Sequence, residues 1–278
     1  MSTTGPWIAC VNFARTATPA AYDLAPDSNY TMVHYSGALP LSPSDSTNFV
    51  YAAGRPIGDT YLYAVKTQNV GSGKVEVHVI SRSAHYGSFV RQKPSPIDVI
   101  DGRNFDFLVG EYGDLICVKR RNAESRFVEV HVLIWDEFRH FSVQTPSAIP
   151  LSIANNFDFA VTSENRLVAI ERAGTPEGTV VLHFLSEDYR TVTRRAATSL
   201  TLAAASDLTF RYESFRVVGV GVFSNLLGFT RGSTSSGRVE IIKLAQPWTG
   251  APTIFPTPIR NFLAPNFQFV VLYPPPTV

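Results

Sequence analysis

Residues 104–119 read Asn104-Phe-Asp-Phe-Leu-Val-Gly-Glu-Tyr-Gly-Asp-Leu-Ile-Cys-Val-Lys119, and Phe127-Val-Glu-Val-His-Val-Leu133 follows shortly after. The opening Asn104-Phe-Asp-Phe107 returns 52 residues later as Asn156-Phe-Asp-Phe159. At the same offset Leu115 falls on Leu167, Lys119 on Glu171 and His131 on His183. A gapless recurrence of this length marks a repeat, and a period of about 50 residues points to a solenoid or propeller.

The remaining units are found by laying the chain against this one. The second opens at Asn48-Phe-Val-Tyr51 and runs through Tyr61–Lys66, a turn at Gly71-Ser-Gly73, Lys74–Ile80 and Phe89–Ile97. The fifth opens at Asp207-Leu-Thr-Phe210 and shows a longer first connection before Leu227-Gly-Phe229 and Arg238–Lys243. The first unit lacks an opening Asn-Phe strand, and Asn266-Phe-Gln-Phe-Val-Val271 supplies one near the other terminus. Each unit holds four strand-like runs. The third run alternates, as in Val75-Glu-Val-His-Val, which is strand periodicity. The expected fold is all-β: a five-bladed β-propeller of four-stranded blades, its ring closed by the C-terminal strand completing the N-terminal blade. It forms one domain over 1–278, with blade one at 266–278 plus 1–47, blade two at 48–103, blade three at 104–155, blade four at 156–206 and blade five at 207–265. Two β-sandwiches would leave the split repeat unexplained.

Composition narrows the function. A net charge of +1 with 17% charged residues provides no field for nucleic acid or a membrane surface. No signal peptide or membrane span is visible, so the expected location is cytoplasmic, or secreted without a signal peptide. The sequon Asn29-Tyr-Thr31 is then incidental. Cys10 and Cys117 share one aligned second-strand position with Ala64, Ala169 and Gly228, all small. That pattern reads as packing, and no bridge between the two thiols is expected.

Asp114-Leu-Ile-Cys-Val-Lys119, with Val128–Leu133 and Phe141-Ser-Val-Gln-Thr145, resembles the tandem blade repeats of bacterial and fungal propeller lectins of the hemagglutinin type. It is also similar to modules attached to secreted polysaccharide hydrolases. The resemblance spans essentially the whole chain and is strongest over 48–200. It implies a non-catalytic, multivalent carbohydrate-binding protein, an agglutinin whose weak repeated sites engage glycans or glycoconjugates together. Such a role is compatible with a homo-oligomer. Related propeller repeats carry an Asp-x-Asp-Gly calcium loop. The loops here, Gly110–Asp114, Thr162–Arg166 and Arg211–Phe215, lack closely spaced oxygen ligands. No metal or other cofactor is expected.

The recurrent polar set is Lys66, Glu76 and His78 in blade two, Lys119, Glu129 and His131 in blade three, and Glu171, Val181 and His183 in blade four. The bland reading makes Lys66–Glu76 and Lys119–Glu129 cross-strand ion pairs. The carbohydrate-binding reading has the histidines line repeated pockets, with Leu24 and Ile242 near the same position in blades one and five. Sugar sites add an aromatic face. The loops after the third strands supply Tyr30, Tyr86, Phe138 and Tyr189, with Trp135 and Trp248 nearby, unless those rings plug the blade edges. Two alternatives remain: a protein-interaction propeller, and a five-bladed glycosidase with converging carboxylates. Asp106, Glu111, Asp158, Glu164 and Glu213 are the acids near first strands. An active site breaks the repeat symmetry, however, and Asp106 and Asp158 are repeat-equivalent.

Overall fold

The computed structural model describes residues 7–14, 18–26, 29–31, 33–54, 60–110, 112–134, 141–142, 149–152, 156–162, 164–217, 221–232 and 234–272. The second strand of each expected unit is apolar at successive positions rather than alternate ones. Leu62, Tyr63, Ala64 and Val65 all have no exposure, and Leu115–Val118 and Leu167–Ile170 repeat the pattern. A strand reads this way when both faces of its sheet are covered.

The strands build five antiparallel sheets. Strand β21 (Phe267–Leu272) pairs with β1 (Trp7–Asn12), followed by β2 (Ala20–Leu24) and β3 (Val33–Ala38). The second sheet runs β4 (Phe49–Gly54), β5 (Tyr61–Lys66), β6 (Lys74–Ser81) and β7 (Phe89–Asp98). The third runs β8 (Phe105–Val109), β9 (Leu115–Lys119), β10 (Phe127–Leu133) and β11 (Phe141–Ser142), with β12 (Ile149–Ser152) also pairing to β10. The fourth is β13 (Phe157–Val161), β14 (Leu167–Glu171), β15 (Thr179–Leu185) and β16 (Val192–Thr201). The fifth is β17 (Leu208–Val217), β18 (Gly221–Thr230), β19 (Arg238–Ala245) and β20 (Thr253–Arg260). This is the all-β, five-bladed propeller arrangement of four-stranded blades, with the C-terminal strand completing the first. Its sole α-helical element among the described residues is the single turn Leu202–Ala205.

By contacts the chain divides into two compact units. Met1–Asn122, Val130–Pro146 and Asn266–Val278 form one; Ala123–Glu129 and Ser147–Pro265 form the other. Within the first, Leu62, Ala64 and Tyr86 join Ala9, Val11 and Val270 in a core between sheets one and two. Tyr63, Val65 and Val77 join Phe105, Phe107 and Cys117 in a core between sheets two and three. In the second unit, Val168, Ile170 and Leu182 pack against Phe210, Tyr212 and Leu244.

One row recurs in blades one, two, four and five. Tyr51 faces Ala64, which faces His78. Phe269 faces Cys10, which faces Tyr22. Phe159 faces Ala169 and then His183, and Phe210 faces Gly228 and then Ile242. A ring and a bulky third-strand side chain flank the middle position on one face, which is why that position is small. A Cβ on Gly228 would lie 3.0 Å from Leu208 and 3.3 Å from Phe210. Cys10 and Cys117 are buried free thiols. Blade one's occupant of the histidine position is therefore Tyr22; Leu24 pairs with Ile8, one pleat further along. Blade five departs from its expected form too. Its first connection is not long; instead β17 and β18 each extend to 10 residues and stay paired to Val217↔Gly221.

The first strand of a blade pairs on one side only, so its other backbone edge needs partners. Gln268 provides them in the first unit: its Oε1 accepts from the Tyr51 backbone N–H at 3.0 Å and its Nε2 donates to the Tyr51 carbonyl at 2.6 Å. Asp158, at the equivalent repeat position, accepts from the Phe210 N–H at 2.9 Å in the second unit. Replacing Gln268 with Ala strips both groups of Tyr51 of these partners, and we expect a loss of about 1–3 kcal/mol. Urea denaturation of Gln268→Ala measures it; an unchanged midpoint would show the tie contributes nothing.

Candidate functional site

The recurrent polar residues gather at the hairpin between second and third strands, and each already has a structural task. Lys66 faces Glu76 in register, yet its ammonium lies 2.8 Å from Asp45 and over the Phe49 ring at 5.8 Å. Lys119 lies over Phe105 at 5.8 Å. Asp45 thus takes the ammonium expected to pair with Glu76, and Lys119 rests on the ring that opens its blade. Turn serines take the carboxylates, with Ser72 donating to Glu76 at 3.2 Å, Ser125 to Glu129 at 3.0 Å and Ser236 to Glu240 at 2.7 Å. The histidines pack edge-on against the ring that opens each blade: His78 on Phe49, His131 on Phe105, His183 on Phe157. His183 also meets Glu171 at 2.9 Å. Burial holds the His78 imidazole below the usual histidine range, with Glu76 opposing.

The aromatic residues sit at the opposite end of the third strand, so the structure does not bring them to the histidines. Tyr30, Tyr86, Tyr189 and Trp248 each occupy a turn with positive φ (61°, 59°, 59° and 68°) and are 5% exposed or less. Left-handed backbone is unfavourable for such residues; burying the ring offsets that strain. Tyr86 donates to Asp23 at 2.6 Å, and Arg82 closes on the same carboxylate at 2.6 Å while stacking on Trp7. A sealed ring offers no face to a sugar. Trp135 and Phe138 lie outside the described residues.

The acids separate more sharply. Asp106 pairs with Arg120 at 3.0 Å, and Asp158 holds the Phe210 N–H with Arg172 at 4.0 Å. Glu164 pairs with Arg166 at 3.6 Å, and Glu111 lies outside the described residues. Glu213, on β17, differs from all of them. It is 2% exposed, accepts from the Asn225 amide at 2.6 Å, and burial lifts its carboxyl to about 7 against the pull of Asn225 and Lys243. The equivalent positions hold Gly54, Gly110, Thr162 and Leu272. Spacing could have singled it out as the acid that breaks the repeat.

Beside this strand the second unit contains a pocket of about 250 Å³. Phe184, Tyr212 and Trp248 give it an aromatic wall; Glu164, Arg166 and Arg194 bring charge. Tyr212 and Trp248 have ring centroids 6.1 Å apart, and Phe184 and Trp248 5.7 Å. Strand alternation turns Tyr212 and Ser214 into the pocket and Glu213 to the other face of β17. Among the described residues no three His, Cys, Asp or Glu side chains group to hold a metal ion.

No family model and no curated protein matches this chain. Solved structures do. A Bacteroides ovatus xyloglucan-locus protein, GH43B, is 12% identical with a TM-score of 0.45, over 76% of this chain and 40% of that one. A protein of unknown function from Dyadobacter fermentans is 9% identical with a TM-score of 0.42, over 86% of this chain and 71% of that one. A bifunctional GH43-CE protein of Bacteroides eggerthii is 11% identical with a TM-score of 0.41, over 74% and 27%. The chain therefore spans well under two thirds of both GH43 proteins. The expectations of a lectin and of a chain without catalysis are corrected here: three of the similar solved structures are named GH43 proteins, one of them a glycoside hydrolase, and the likeness to them is of fold alone.

Two substitutions test the site's physics. In Tyr86→Phe the buried Asp23 loses a hydroxyl donor, and we expect about 1–3 kcal/mol of destabilisation in urea. Glu213 holds a proton in the folded chain that an unperturbed glutamate, near 4.5, releases. Its contribution to stability is present below about pH 4.5 and falls away as pH rises to about 7, by about 3 kcal/mol. Glu213→Gln removes this slope, so its melting temperature gains on the native chain's between pH 5 and pH 8. Parallel curves would mean that the carboxyl is not a buried acid.

Proposed function

We propose that the chain is a carbohydrate-active enzyme that cleaves glycosidic bonds, with blade five carrying the chemistry. The observation that supports this is Glu213. A buried acid without a cation in contact costs stability at neutral pH, and such groups concentrate at functional sites. A carboxyl near 7 is also suited to protonating a leaving glycosidic oxygen. In this reading Glu213 is the general acid. Glu164 supplies the second carboxylate that an oxocarbenium-like transition state needs. Phe184, the partly exposed ring of the pocket wall, takes the apolar face of a sugar ring, with Tyr212 and Trp248 packed behind it. Because Glu213 and the pocket occupy opposite faces of β17, this reading takes a glycan chain that meets them at separate points rather than a single enclosed sugar.

The test is release of reducing ends from a panel of polysaccharides and aryl glycosides. Glu213→Gln should lower the rate about 10²–10⁴-fold, and the native rate should decline as pH passes about 7, where the acid loses its proton. A panel that yields no product, or a Glu213→Gln chain with full activity, sinks the proposal.

A further inference from the structure

We infer that the pocket of the second unit selects a carboxylate-bearing sugar, a uronic acid residue, through Arg194. This deepens the glycan-cleaving reading and rests on it. The exposed Arg194 guanidinium lies over two rings, 5.3 Å from the centroid of Phe184 and 5.3 Å from that of Trp248. Contact with both rings restrains the guanidinium on the pocket wall, and cation–π contact leaves its N–H groups available to a ligand.

The arginines nearby are committed elsewhere. Arg166 is held by Glu164 and Glu187, Arg190 by Asp188 at 3.8 Å, and Arg195 by Glu177. Arg194 has no carboxylate partner among the described residues. A pre-oriented guanidinium with an unused edge matches a carboxylate bidentately.

A second donor faces the same need. Trp248 lines the pocket and is 1% exposed, and its indole N–H has no acceptor among the described residues. A buried donor left so calls for an acceptor from a ligand or water. The pocket wall carries one carboxylate and two guanidiniums, Glu164 against Arg166 and Arg194, a formal charge of +1. Thr193, Ser214, Ser224 and Gln246 add groups that bond hydroxyls. The volume of about 250 Å³ lies at the small end of ligand pockets, suiting one sugar residue of a chain. Aromatic wall, hydroxyl-bonding rim and fixed guanidinium together describe an acidic sugar.

Calorimetric titration of the full chain with methyl glucuronide and methyl galacturonide, each beside its methyl ester and its neutral glycoside, tests this. One of the two uronides should bind at least tenfold tighter than its ester and its neutral counterpart. That advantage should shrink between 50 and 500 mM salt and vanish in Arg194→Gln. Should Arg194→Gln fail to fold, the ester comparison and salt series on the native chain still decide. Equal affinity for charged and neutral forms of both sugars overturns the inference, as does acetate competing as well as the uronide. A uronide that binds while no glycan is cleaved removes the catalytic reading and keeps the acidic-sugar pocket. Cleavage of neutral glycans with no uronide preference does the reverse.

Discussion

Every first strand in this chain has one backbone edge with no ladder partner, and burial makes that edge costly unless something bonds it. For the first strands of blades two and five, side chains from the preceding blade do so. Gln268 takes both backbone groups of Tyr51, and Asp158 takes the N–H of Phe210. An unpaired strand edge is otherwise a site for disorder or aggregation. The third position of Asn156-Phe-Asp-Phe159 and of Asn266-Phe-Gln-Phe269 is polar for this reason. Its neighbours are aromatic because the strand's two faces must fill the space beside small residues such as Ala64 and Cys117. The tie, the ring and the small residue form one solution, repeated.

That solution was largely visible in the sequence because it is written as residue types at fixed spacing. The split first blade was legible from Asn266-Phe-Gln-Phe, and β1 indeed pairs with β21. What spacing could not show was the partner of each polar group. Lys66 stands opposite Glu76, but Asp45, in a turn before the blade, reaches its ammonium first. Tyr22 replaces Leu24 at the histidine position because register decides the match, and one pleat alters it. Arg211–Phe215 reads as a loop in the sequence because its polar residues hide a strand.

Burial was the other quantity that residue types left open. Tyr86 and Tyr189 look like loop aromatics awaiting a ligand. In the fold they are keystones of left-handed turns, and Tyr86 shares a buried carboxylate with Arg82. Polar residues that recur blade by blade, such as Glu76, Glu129 and Glu240, recur because a serine in the same turn needs an acceptor. Repetition here records architecture.

Specific chemistry, by contrast, should be sought where the repeat fails. Blade five fails it twice over: its first two strands run longer than any counterpart, and Glu213 stands where other blades place Gly54, Gly110, Thr162 or Leu272. The extension alone would be neutral, since extra paired residues satisfy their own backbone. A buried carboxyl is not neutral: keeping its proton up to about pH 7 leaves the fold weaker in neutral solution than a glutamine would. A chain whose blades repeat one structural solution so closely had three simpler residue types for this position. The acid makes physical sense as a group kept for its proton.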